Sequence, residues 1–463
     1  MIRLLSLFII ISGFSGIFSP AKSQTIITIA GTGASGFSGD GQPATAAVFR
    51  DIYDVAIDNN GNILIADCSN SRIRKIDAVT GIISTIAGNS NTIGGGFSGD
   101  GGLATQAQLS FPYSIAVDTA NNIFVADNSN NRIRKIDAVT GIITTVAGTG
   151  AYDYTGDGGQ AVNATLKRPR AITIDKSNNI YICDFGNHCI RKVNSSTGVI
   201  TTIAGTGTAG FSGDDGPAVA ADLNSPFGMA LDTSNNLFVA DLQNQRIRKI
   251  DLSSGLISTY AGTGYTDSTG YGSFSGDGGP AILAELNQPH ALEFDREGYL
   301  FFADDKARRI RRISPAGTIS TVAGNGVAGF AGDGGPALMA SFKGINGMCF
   351  NQQNELFVAD VLNQRIRKIY DIPSIISIVA KEYTIDVYPQ PAGNFLKVAI
   401  DSKEYDLITL VDAIGQTVIT SAIEADANGK SVTIDVSELP GGMYMAILTG
   451  PKVVTSKRLM IQH

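Results

Sequence analysis

The phrase ADNSNNRIRKID at Ala126–Asp137 returns as ADCSNSRIRKID at Ala66–Asp77 and as ADLQNQRIRKID at Ala240–Asp251. Its leading aspartate falls at Asp67, Asp127, Asp184, Asp241, Asp304 and Asp360, with spacings of 60, 57, 57, 63 and 56 residues. Six copies at a near-fixed period mean a repeat architecture. Each copy reads in one order: an apolar segment such as YSIAVD (Tyr113–Asp118), a polar turn, NIFVAD (Asn122–Asp127), a tight turn, RIRKID (Arg132–Asp137), and IITTVAG (Ile142–Gly148). These are four short strands with no amphipathic helix between them. A four-stranded antiparallel sheet copied six times predicts the blades of a six-bladed β-propeller. The whole chain is therefore expected to be all-β, in keeping with its 54 glycines.

The ends of the array predict how the ring closes. TIITIAG (Thr25–Gly31) matches the fourth strand of a unit, and the sixth unit ends on a third strand, RIRKIY (Arg365–Tyr370). The first strand can thus complete the last blade, and closure removes exposed sheet edges. SIISIVA (Ser374–Ala380) offers a rival fourth strand.

The pattern of an apolar strand ending in Asp, then N-x-R-I-R-K-I, then I-x-T-x-A-G, resembles the NHL-repeat family from about Thr25 to Tyr370. The resemblance implies a six-bladed propeller and leaves the activity open, because propellers host many functions.

Asp67 with Arg72, Asp127 with Arg132, Asp241 with Arg246 and Asp360 with Arg365 flank the tight turn and are expected to pair across it, fixing each hairpin. The alternative, an arginine surface for nucleic acid, is disfavoured by the paired acids and a net charge of −7. A second recurring phrase, GFSGDGGLAT at Gly96–Thr105, links the blades. Its Asp100 and the equivalent Asp333 suit an Asx-turn; a calcium loop would gather more ligands than this.

Structural positions repeat, so a site is sought where repeats break. At the start of the six inner strands stand Tyr53, Tyr113, Arg170, Phe227, His290 and Asn346. They are expected to ring one mouth of the central channel, and the mixture of aromatic faces, a cation and hydrogen-bonding groups suits a sugar or a peptide. Glu293 departs from Ala56, Ala116, Thr173, Ala230 and Cys349 at one inner-strand position. It needs a partner if buried, and His290 is three residues earlier. Six-bladed relatives include metal-dependent lactonases and lyases, but the propeller segment holds only His188 and His290, and none of the G-x-S-x-G, HExxH or phosphate-loop signatures occurs. No metal site, cofactor or catalytic residue is assigned. Cys68, Cys183, Cys189 and Cys349 lack a C-x-x-C pair; Cys183 and Cys189 share one hairpin and can either bridge after export or stay free.

Both ends of the chain address export. After Arg3 comes LLSLFIIISGFSGIF, shorter than the roughly 20 residues that span a bilayer, and Ala21-Lys22-Ser23 places small residues two apart. Residues 1–23 are therefore expected to form a signal peptide cleaved before Gln24. Residues 24–370 form the propeller and 371–383 a linker. Residues 384–463 alternate apolar residues with Gly and Pro turns, as a small β-sandwich does. This tail resembles the C-terminal sorting domain of the bacterial type IX secretion system. The matching features are Tyr388–Asn394 (YPQPAGN), Asp412–Gln416 (DAIGQ), Leu439–Tyr444 (LPGGMY) and Lys457-Arg458 before the final apolar run. The resemblance implies passage through the secretion machinery, then release or attachment at the outer cell surface. The expected protein is a non-catalytic binding propeller for an extracellular glycan or protein, with no nucleic-acid partner and no stable membrane span. The alternative is a metal-dependent hydrolase or lyase at the channel mouth.

Overall fold

A computed structural model describes residues 24–89 and 94–370, and in the C-terminal region 385–388, 394–400, 407–411, 417–422, 424–426, 429–449 and 454–462. The expected signal peptide (1–23), the linker (371–383) and the rival strand Ser374–Ala380 lie outside these residues. The chain divides into two compact units, one of them Ser23–Ile372.

That unit is a ring of six antiparallel sheets. The inner strands are Ile52–Ile57, Pro112–Val117, Pro169–Ile174, Pro226–Leu231, Pro289–Phe294 and Ile345–Phe350, in blades 1 to 6. Outward from each run a second strand ending in the repeated Asp, a third strand of the RIRKI type, and an outer strand. In blade 6 the outer strand is Thr25–Ala30, paired antiparallel with Arg365–Tyr370 in the register Ile27 to Lys368. The ring closes through its own first strand, as the order of repeats requires.

No blade can bury both faces alone, and the apolar core lies between neighbours. Leu64 and Ala66 of blade 1 pack with Ile115, Val125 and Ile136 of blade 2. The same arrangement joins last to first, where Phe357, Ala359 and Ile366 meet Ile52, Val55 and Ile65.

The charges of the repeated phrase correct the expected pairing. Asp127 and Arg132 do face each other in register, but the guanidinium beside Asp127 is that of Arg134, two residues on. Arg134 is wholly buried, with Nη1 3.3 Å from Asp127 and Nη2 2.7 Å from Asp100. It also donates to the carbonyls of Ser98 and Gln108. Asp127 accepts from the backbone N–H of Ser110 and from Asn130 as well. Burial pushes its carboxyl up to about 6, with those bonds and the guanidinium opposing the rise. The bracket recurs on Arg74 (Asp40, Asp67), Arg191 (Asp157, Asp184), Arg248 (Asp214, Asp241), Arg311 (Asp277, Asp304) and Arg367 (Asp333, Asp360).

Both recurring phrases thus serve one device. The Asp of GFSGDGG is the second carboxylate on a buried arginine, which corrects the Asx-turn expected for Asp100 and Asp333. Arg72, Arg132, Arg246 and Arg365 instead donate to the backbone carbonyls of Asn70, Asn130, Asn244 and Asn363. Their guanidinium groups lie over Phe37, Phe97, Phe211 and Phe330 at 3.7–3.9 Å. All four cysteines are buried and unpaired, Cys183 and Cys189 included.

The C-terminal unit has two four-stranded sheets. One orders Ile385–Tyr388, Phe395–Ile400, Gly429–Asp435 and Glu424–Asp426; the other orders Thr417–Ala422, Leu407–Val411, Gly442–Thr449 and Val454–Ile461. Leu396, Val398 and Ile434 of the first pack with Ile408, Leu410, Tyr444 and Ile461 of the second, so the two form a sandwich around one core. Tyr444 of the LPGGMY motif donates its hydroxyl to the Pro440 carbonyl at 2.8 Å.

Candidate functional site

The inner strands approach one another closely around the axis. A Cβ added at Gly228 would lie 2.1 Å from the His290 carbonyl oxygen, and one at Gly347 would lie 2.5 Å from Asp54 Cα. Small residues fill this level in five blades, Ser114, Ala171 and Ala291 beside the two glycines, and Asp54 stands there in blade 1. One residue before this level, the mouth positions are free of that demand.

Their six side chains form a contiguous girdle. The Tyr53 and Tyr113 rings are 4.2 Å apart and tilted. The Arg170 guanidinium lies over Tyr113 at 4.5 Å and over Phe227 at 4.9 Å. Phe227 stacks on the His290 imidazole at 4.3 Å, nearly parallel. His290 Nδ1 hydrogen-bonds Asn346 Oδ1 at 3.0 Å. Burial holds His290 below its usual pKa and favours the neutral ring. Tyr53, Tyr113, Arg170 and Asn346 keep part of their surface exposed. Phe185, on the turn after the second strand of blade 3, stacks against Arg170 at 4.2 Å; its neighbours in sequence gave no hint of this.

Below the girdle lies a cavity of about 280 Å³, lined by the inner strands. Glu293 faces it with no hydrogen-bond or ion-pair partner among the described residues. The expected neighbour His290 bonds Asn346 instead, so the two do not form a pair. Asp54 is a second carboxyl in the cavity and was not singled out from sequence. The signal was present: its level holds Ser, Ala or Gly in the other five blades. Asp54 accepts from the backbone N–H of Ile115 at 2.9 Å, tying blade 1 to blade 2. Burial pushes the Asp54 carboxyl up to about 7, and it pushes Glu293 up to about 8 with help from the Asp54 charge.

A raised carboxyl pKa stabilises the fold below the unfolded value, near 4.3 for Glu, and that contribution disappears as pH climbs through the folded value. Glu293→Gln removes the charge. The variant should match the parent near pH 4 and exceed it at pH 9 by on the order of 2 kcal/mol, a figure reduced because the residue keeps part of its surface open to the channel. Melting curves across that range test this, and a variant that is no more stable at pH 9 would refute it.

Fold and repeat together define an NHL-type propeller. Residues 49–76 match the model of the NHL repeat, and 95–155 and 150–211 match that of the Teneurin NHL domain. Over these stretches the chain is similar to the NHL-repeat propellers, and it carries a tail, residues 386–462, that matches the secretion system C-terminal sorting domain. Protein SUPPRESSOR OF QUENCHING 1, chloroplastic, of Arabidopsis thaliana is 29% identical over 245 residues, 50% of this chain and 22% of that protein. NHL repeat-containing protein 2 of Gallus gallus is 27% identical over 399 residues, 79% of this chain and 53% of that protein. The chain spans about half or less of the length of these two relatives. Among solved structures, an auxiliary nutrient binding protein from Bacteroides ovatus ATCC 8483 superposes with a TM-score of 0.54 at 14% identity, covering 75% of this chain and 76% of that one. The sorting domain marks the chain for export, to the cell surface or beyond it, through the secretion machinery. Among the described residues no helix is long and apolar enough to cross a membrane.

Proposed function

We propose that this is an exported propeller that binds a glycan or protein outside the cell without catalysing its conversion, and that the channel mouth is where it binds. One observation carries this: the six residues that break the repeat converge on one girdle above a cavity, although nothing in blade construction asks for them. Aromatic faces, a guanidinium and half-exposed polar groups suit saccharide or peptide recognition. The Bacteroides ovatus propeller of like fold is named for nutrient binding, which accords with this use of the architecture.

A glycan and peptide array probed with the propeller identifies the ligand. A combined Tyr53→Ala, Tyr113→Ala, His290→Ala variant should then lose at least about ten-fold in affinity while melting as one cooperative unit. Undiminished binding by a folded variant would move the site elsewhere. A hydrolase or lyase at the same mouth gains support from the cavity carboxyls of Asp54 and Glu293. A metal-dependent form needs several convergent ligands, and no group of three or more His, Cys, Asp or Glu side chains converges among the described residues. Ligand turnover that Glu293→Gln abolishes would favour the enzyme.

A further inference from the structure

We propose that the mouth takes a carboxylate-bearing sugar, a uronic acid unit, and that Arg170 receives its carboxylate; this rests on the mouth being the binding site. Arg170 is caged by rings and left without an anion. Its guanidinium faces Tyr113, Phe185 and Phe227 at 4.2–4.9 Å. Ring faces stabilise a cation but offer no acceptor in the guanidinium plane. Among the described residues it has neither a carboxylate partner nor a hydrogen bond, and its Nε is sealed from solvent with no acceptor. The six bracket arginines show how this chain treats an arginine whose task is structural: each contacts two carboxylates. Arg170 also lines the cavity. A guanidinium held in place by three rings is a preorganised fork for a planar anion.

The surroundings favour the same charge. The turns and strand entries at the mouth place Arg50, Lys167, Arg168, Lys306, Arg308 and Lys343 on the rim of a chain whose net charge is −7. The acids of that rim are already engaged. Asp51 accepts from Ser69 Oγ at 2.7 Å and from Gln364. Asp305 accepts from the Ile345 N–H and meets Lys306 and Arg308 at 3.3 and 3.4 Å. Deeper in the channel, burial raises the carboxyls of Asp54 and Glu293, so they add less negative charge than two ordinary acids would. A cavity of about 280 Å³ has room for a sugar ring and not for a folded partner. Tyr53 and Tyr113 keep part of their ring surface exposed beside the cavity, an apolar edge for such a ring.

The test uses the full chain and three probes: an oligogalacturonate, its carboxyl-reduced neutral counterpart, and an acidic peptide, each titrated by calorimetry. The uronate should bind at least about ten-fold more tightly than the neutral sugar, and more weakly as salt rises. Arg170→Gln should erase that preference and Arg170→Lys should keep part of it. If Arg170→Gln fails to fold, the comparison of the two sugars on the parent chain decides alone. Equal affinity for acid and neutral sugars, both lost in the triple mouth variant, would overturn the role of Arg170 and leave the mouth as a binding site. Preference for the peptide would overturn the sugar. Binding of none of the three by folded protein would overturn this proposal, and a blank array with it would remove the mouth as the site.

Discussion

Arg134→Ala is expected to destabilise the propeller by about 3–5 kcal/mol, the usual cost of stripping a buried charge of its partner. Two carboxylates lose their counter-ion at once, Asp127 at 3.3 Å and Asp100 at 2.7 Å, and the carbonyls of Ser98 and Gln108 lose a donor. Arg132→Ala, two residues away in the same strand, should cost no more than about 1 kcal/mol, because it removes a ring contact with Phe97 and bonds to the half-buried Asn130 carbonyl and the exposed Thr149 carbonyl, with no carboxylate left unpaired. The Arg134 deficit should also depend on pH. Asp127 already sits near 6 with its guanidinium present, and without it the carboxyl rises further. The variant escapes part of the penalty by protonating Asp127, so its deficit shrinks as pH falls from 8 to 5. Urea unfolding of both variants at the two pH values tests this. Equal costs for Arg132 and Arg134 would contradict the bracket.

The sequence carried the architecture because repetition is a statement about packing. Six Asp residues at near-equal spacing, and a first strand with the pattern of a fourth, leave few ways to bury the apolar faces. The partner of each Asp was harder to read. Arg132 and Arg134 both stand in RIRKI, and period-two alternation sends them to the same face. Which one reaches Asp127 depends on a loop that brings the partly exposed Asp100 to the same guanidinium, a three-body arrangement that no two-residue spacing encodes. The mouth was found by subtracting the repeat, a method that works where neighbours set no steric demand. Asp54 lies one residue beyond the mouth positions, a lone carboxyl in a row of Ser, Ala and Gly that packs close to the axis. Phe185 escaped because it reaches the mouth from a turn.

Removing residues 24–30 is the other change with a large expected effect. Ile26 is wholly buried among Val322, Phe342, Leu356 and Ile369, and its burial alone is worth about 1.5–3 kcal/mol. The strand also ties back to blade 6 through the loop of the second phrase: Gly334 N–H donates to the Ile26 carbonyl at 2.8 Å, Ala337 N–H to that of Gln24 at 2.9 Å, and Thr28 N–H to Asp333 at 2.9 Å. Without it, Arg365–Tyr370 becomes an unpaired edge, a template for association between chains. The truncated protein should lose its single cooperative melt and self-associate, whereas a monomer as stable as the parent would show that the strand is dispensable.

Amide hydrogen exchange across Thr25–Ala30 tests ring closure most directly. With the ring closed by this strand, the amides it pairs to Arg365–Tyr370 open only with the sheet and should exchange as slowly as those of Ile63–Asp67. Fast exchange there, with slow exchange at 374–380 instead, would show that a different segment completes the sixth blade.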